Sequence, residues 1–192
     1  MIKINIINET AKLKAVVVGI ADDFGGTPNI EDCYDPKSRE HVIAGTYPTN
    51  EACIKELEAL VNVFRKYDVE VFRPKNIHGL NQIFSRDIAF AIDNMLIIPN
   101  IIKDRKKEIN GINEVLSQVI KENKKKMPTN ARAEGGDVMP FNEYVFVGYS
   151  ENEDFEKYTV ARTNRAGLDF LIETFPNKKV KGFELNKSDE NP

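Results

Sequence analysis

Cysteine and histidine are scarce in this sequence, two of each, at Cys33, Cys53, His41 and His78. None falls in a Cys-x-x-Cys or His-x-x-x-His arrangement, so the donor sets of a zinc site are missing and no bound metal is expected. Two cysteines without a secretory signal fit a reducing cytoplasm better than a disulfide. Long apolar runs are missing as well. A stretch such as Met95 to Pro99 falls far short of the roughly 20 residues that a spanning helix needs. The opening Met1-Ile2-Lys3-Ile4-Asn5-Ile6-Ile7 alternates polar and apolar residues like a strand, unlike a signal peptide. Without such a signal, the glycosylation patterns at Asn8 and Asn186 carry no meaning. An excess of basic charge is also lacking. The net charge is −3, which gives no electrostatic case for nucleic acid or an anionic membrane. Gly25-Gly26-Thr27 is not followed by the Lys-Ser/Thr of a phosphate-binding loop.

What remains is a soluble globular composition, 41% hydrophobic and 30% charged over 192 residues. Leu13 to Val18 reads as a buried strand closed by Gly19. Residues 21–50 read as a long loop with turns at Gly25-Gly26 and Asp35-Pro36. Ile54, Leu57, Leu60, Val61 and Phe64 then fall on one face of a helix that Thr49 or Asn50 can cap. Val69 to Phe72 is the next strand. Ile88 to Ile92 and Met95 to Ile98 form a hairpin around Asp93-Asn94. A second helix is expected along Ile112, Val115, Leu116, Val119 and Ile120, with Lys124-Lys125-Lys126 as its solvated end. A third round pairs Val138 to Pro140 with Tyr144 to Val147 across Asn142, adds a helix over Gly167 to Phe175, and closes with a strand from Val180 to Leu185. The chain therefore divides into three strand–strand–helix–strand modules, about 1–80, 81–131 and 132–192, within one domain. Each has a sheet face that it cannot cover alone.

Glu134-Gly135-Gly136-Asp137 sets two carboxylates three residues apart around two glycines. Adjacent glycines admit positive φ or a close backbone approach. Carboxylates held there can face one planar guanidinium, whose donors form a fixed fork. The plainer alternative is a tight turn capped by its Asp.

Three separated stretches point further. Phe84-Ser85-Arg86-Asp87, then Arg105 with Glu108, then Glu134-Gly135-Gly136-Asp137 with Arg162-Thr163 resemble, in that order, the guanidino-group-modifying enzymes. These are the arginine deiminases, dimethylarginine dimethylaminohydrolases and amidinotransferases. Leu13 to Gly19 and Val69 to Pro74 are similar to that family's first module. The resemblance implies a pentein-type α/β propeller of five modules, of which this chain carries about three. It implies a small guanidino substrate, no cofactor, and attack by a cysteine thiolate on the guanidinium carbon. Asp87 and Glu134 would grip the guanidinium, with Glu134 also orienting a catalytic histidine. Asp137 would be a further contact or a support for the loop. Arg105 and Arg162 would clamp a substrate carboxylate, against the alternative that each is an ordinary surface ion-pair partner. Arg86 would be structural, paired near the site.

The family's His-x-Asp and its nucleophilic cysteine, placed in the last two modules, have no counterpart here. The expectation is therefore a truncated, inactive portion of a larger enzyme, prone to associate with its own missing C-terminal part or with a second copy. Hydrolysis and amidino transfer both stay open. So does a non-catalytic propeller-fold module that binds a protein partner or an amino acid, and so does a generic α/β domain with accidental motifs.

Overall fold

The computed structural model describes residues 1–33, 35–151 and 162–185. The chain divides into two compact units. One comprises Met1–Ala11, Arg86–Lys106 and Gln118–Pro192, the other Lys12–Ser85 and Lys107–Ser117.

The second of these units is built on two parallel strands, β1 (Ala15–Val17) and β2 (Glu70–Phe72), in register Ala15 with Glu70 and Val17 with Phe72. Between them lie α1 (Pro36–Ile43) and α2 (Asn50–Lys66). The expected loop over residues 21–50 thus contains a helix. Asp35-Pro36 is its start rather than a free turn: the Asp35 carboxylate accepts from Ser38 N at 2.8 Å, and Pro36 occupies the first turn, where its missing N–H costs nothing. Thr49 caps α2 through Ala52 N at 3.2 Å, and Arg65 and Lys66 complement the dipole at its other end. Only Val61 of α2 is fully buried, and Leu60, expected on the inner face, is 43% exposed. Asp68, at φ 57°, makes the left-handed turn into β2. The single turn α3 (Ser85–Ile88) begins at the last residue of this unit's longer stretch, and α4 (Asn113–Ser117) ends its shorter one.

The other unit holds two three-stranded sheets of the same design. β3 (Phe90–Ile92) and β4 (Met95–Ile98) are antiparallel, and β5 (Lys124–Lys126) adds parallel to β4. β6 (Val138–Phe141) and β7 (Tyr144–Tyr149) are antiparallel, and β8 (Lys179–Glu184) adds parallel to β7. The hairpin turns sit at Asp93 and Asn142, both with positive φ, a conformation that these short polar side chains tolerate. α5 (Arg165–Thr174) is capped by Asn164, which accepts from Gly167 N at 2.9 Å. Its Leu168 and Leu171 join Ile92, Ile97, Val138, Val145 and Val147 in one buried core.

Three further expectations are corrected. Of the helix predicted over Ile112 to Ile120 only the five-residue α4 forms; a 3-10 stretch, Lys103–Ile112, precedes it, and Val119 beyond it pairs with Ile2. The three lysines are not a helix end but strand β5. The edge of β4 has backbone groups to satisfy, and that demand overrides the local preference. Lysines on an edge strand also discourage pairing with another chain, and Lys125 Nζ stands 5.2 Å from the Phe170 ring centre. The N-terminal residues do not form a regular strand either. Ile2 pairs with Val119, Ile6 with Asp93 and Asn8 with Phe141, so each short stretch meets a different partner.

Leu171 has no solvent exposure, so Leu171→Ala is expected to cost about 2–5 kcal/mol. Leu60→Ala on the open side of α2 should cost under about 1 kcal/mol. Urea unfolding of both variants checks the contrast.

Candidate active site

All five residues singled out for the site, Asp87, Arg105, Glu134, Asp137 and Arg162, belong to the unit with the two three-stranded sheets. Each acidic residue sits just ahead of a first strand. α3 carries Asp87 before β3, and a 3-10 turn, Gly135–Asp137, with Glu134 at its N-cap, leads into β6. Each arginine follows a second strand: Arg105 after β4 and Arg162 after β7.

Gly135 and Gly136 do not adopt positive φ. Gly135 serves close approach instead, because a Cβ there would lie 2.1 Å from the Arg86 carbonyl oxygen. This contact brings Asp87 and Glu134 together. Arg105 Nη1 donates to Asp87 Oδ2 at 2.7 Å and to Glu134 Oε2 at 3.1 Å. Arg162 Nη1 donates to the same Glu134 Oε2 at 2.9 Å. The side chains of Arg105 and Glu134 are 6% and 3% exposed, and those of Asp87 and Arg162 are 20% and 24% exposed. Arg105 is therefore no surface ion-pair partner. It is the guanidinium lying between the two carboxylates.

The remaining carboxylate oxygens divide sharply. Asp87 Oδ1 accepts from Gly136 N at 3.2 Å. Glu134 Oε1 is buried and has no hydrogen-bond partner among the described residues. An orphaned carboxylate oxygen at such a site is costly unless something fills it. Asp137 accepts from Thr163 Oγ1 at 2.7 Å, and that hydroxyl in turn accepts from Glu134 N at 3.3 Å. Thr163 is 1% exposed and so locks Asp137 to the backbone of Glu134. In the sequence, Thr163 stands beside Arg162 with no role implied for it by the resemblance. A hydroxyl adjacent to a site arginine was the only signal. Asn164 completes the seam: its Oδ1 accepts from Arg132 N at 3.0 Å, and its Nδ2 donates to Asn130 O at 3.0 Å.

Both cysteines and both histidines belong to the other unit. Burial, then Asp35, pushes the Cys33 thiol pKa up, and burial, then Glu56, does the same to Cys53. Both shifts disfavour the thiolate. Among the described residues no cluster of His, Cys, Asp and Glu is fit to hold a metal ion, and no helix is long and apolar enough to cross a membrane.

The family profile described as N,N dimethylarginine dimethylhydrolase, eukaryotic, matches residues 39–179. The chain belongs to this family. No curated protein matches it in sequence. Among solved structures, the dimethylarginine dimethylaminohydrolase of Pseudomonas aeruginosa complexed with citrulline is 16% identical with a TM-score of 0.68, over 92% of this chain and 62% of that one. The inosamine-phosphate amidinotransferase of Streptomyces griseus is 15% identical with a TM-score of 0.67, over 93% and 62%. The N-terminal domain of ArgZ, an arginine dihydrolase of cyanobacteria, is 13% identical with a TM-score of 0.68, over 90% and 58%. The fold is thus the α/β pentein fold of the guanidino-modifying enzymes, and the chain spans about three fifths of the length of these relatives.

Removing Arg105 leaves Asp87 and Glu134 facing each other without their shared cation. Arg105→Ala is expected to cost about 3–5 kcal/mol. Millimolar guanidinium chloride should recover part of this by binding the vacated notch, where an equal concentration of sodium chloride should not. Thermal unfolding of the variant in the two salts is the measurement.

Proposed function

We propose that this chain carries the guanidinium-holding part of an enzyme that acts on arginine or an N-substituted arginine. The observation that carries the reading is Glu134 Oε1, a buried acceptor with no partner among the described residues, on a carboxylate whose other oxygen accepts from both Arg105 and Arg162. An incoming guanidinium fits it because a planar cation donates to a carboxylate without needing a titratable proton. Arg162, a quarter exposed, is the arginine suited to a substrate carboxylate. Arg105, enclosed between Asp87 and Glu134, instead fixes the carboxylates, and Asp137 supports the turn through Thr163.

The reaction is attack of a cysteine thiolate on the guanidinium carbon. The C–N bond to the departing amine breaks as that nitrogen takes a proton, and the amidino-enzyme is then released to water. The matching family profile favours the hydrolase over amidino transfer. No cofactor enters this chemistry, and a reducing cytoplasm keeps the thiol available. Neither Cys33 nor Cys53 suits the nucleophile, since both thiols are pushed up. The thiolate and imidazole come from polypeptide beyond these residues. A surface is open for such a partner. Met139, Phe141 and Phe183 are 43%, 47% and 54% exposed on the sheet face away from the buried valines of β6 and β7. Raised thiol pKa values also fit the second reading, a non-catalytic module that binds a protein partner or an amino acid.

Citrulline formation from L-arginine or dimethylarginine decides between the two readings. The 192-residue chain alone should give none, and addition of the polypeptide bearing the cysteine and histidine should produce it. Turnover by the chain alone that Cys33→Ala or Cys53→Ala abolishes would overturn this assignment. Arg162→Ala should weaken L-arginine binding about tenfold and spare a guanidino compound without a carboxylate. Equal losses on both ligands would make Arg162 structural.

A further inference from the structure

The turn that carries Glu134 is gripped from outside the site. Arg86 Nε donates to Gly135 O at 2.9 Å, and its Nη2 donates to Val138 O at 2.9 Å. Gly136 N returns a bond to Asp87 Oδ1. Residues 86–87 and 135–138 are therefore stitched in both directions, and the pitch of the turn follows the plane of the Arg86 guanidinium. Both carbonyl acceptors are neutral, so the guanidinium charge is left for another group to pair. Glu9 supplies the missing charged partner, accepting from Arg86 Nη2.

Glu9 is itself placed with care. Asn8 Nδ2 donates to Asn142 Oδ1 at 2.9 Å, and Asn142 N donates to Ile7 O at 2.9 Å. Asn8 Oδ1 then accepts from Thr10 N at 3.0 Å and Ala11 N at 2.7 Å, a side-chain turn that fixes the direction of the chain at Glu9. Asn142 is the turn of the hairpin whose first strand begins at Val138, the residue that Arg86 holds. The contacts close a circuit: Glu9, Arg86, Val138, β6, Asn142, Asn8.

We infer that Glu9 and Arg86 are positioning residues, through which the N-terminal segment sets the orientation of Glu134 in the guanidinium seat; the inference rests on the function proposed above. The pair is exposed, Arg86 at 50% and Glu9 at 38%, so its loss should barely change stability while releasing the turn.

The test compares the chain with Glu9→Gln, Glu9→Asp and Arg86→Lys. In each, the NMR signals of the Gly135 and Gly136 amides and of the residue-86 side-chain N–H are recorded without ligand, the dissociation constant for L-arginine is measured, and the urea midpoint is taken. Glu9→Gln should shift the Gly136 and Arg86 Nε–H signals and weaken L-arginine between about three- and tenfold at an unchanged urea midpoint. Arg86→Lys, which cannot reach two carbonyls with one planar fork, should do so more strongly. Glu9→Asp, which keeps the charge, should recover part of the loss. Unmoved glycine signals with unchanged binding in Glu9→Gln would overturn the proposal. So would a fall in the urea midpoint that accounts for the whole effect. If the unsubstituted chain binds no L-arginine, the guanidinium reading fails, and the glycine signals still decide whether Glu9 and Arg86 set the turn.

Discussion

A single buried cation holds this site together. Arg105 reaches Asp87 and Glu134 from a 3-10 stretch, and each of the three comes from a different part of the chain. Desolvating a guanidinium and two carboxylates is expensive, and such a cluster earns its place through what it fixes more than through net stability. Here it fixes the separation of two acidic residues that lead into β3 and β6. Without it, Asp87 would lose its charged partner and Glu134 would keep Arg162 alone among the described residues.

The arrangement has a repeating logic. Both three-stranded sheets place a carboxylate in a one-turn helical segment before the first strand and an arginine after the second. Equivalent positions of two similar folds thus converge, so that acids and bases alternate around a common point. Arg162 shares an oxygen of Glu134 with Arg105, and this leaves the other oxygen of that carboxylate open. Thr163 and Asn164 then fasten the Arg162 segment to residues 130–134, which keeps the second arginine from drifting away from the first carboxylate.

Much of this was legible in the residues, for reasons that can be named. Hairpins at Asp93 and Asn142 follow from short polar side chains that tolerate positive φ between alternating apolar stretches. The helices capped by Thr49 and Asn164 follow from apolar spacing. The lysines of β5 misled because composition speaks of solvation, whereas an unpaired strand edge speaks only in three dimensions. Arg105 carried two readings in the sequence. The resemblance made it a clamp for a substrate carboxylate, while Asp104 and Glu108 beside it favoured the surface alternative, which its burial at 5% exposure removes. Asn8-Glu9 carries in the sequence only a likeness to the amidinotransferases; the pairing of Glu9 with Arg86 was not legible, since its partner lies seventy-seven residues away.

Holding a guanidinium and reacting with it are separate demands. Binding a ground state tightly does not lower the barrier; a nucleophile and an acid must act where charge develops. Under the proposed function the described carboxylates and arginines would meet the first demand, while both thiols are driven away from the thiolate form. The surface offers a link between the two. Gly148 lies on the same sheet face as Phe146 and Phe183, and a Cβ at Gly148 would stand 3.6 Å from Asp137 Oδ1. The exposed aromatic face therefore runs up to the acidic turn. Under the proposed function, polypeptide that covers Met139, Phe141 and Phe183 would end beside Asp137, so burying the apolar face and delivering the reacting groups would be one event. An enzyme assembled in that way keeps its thiolate from a guanidinium until the core that positions both is closed.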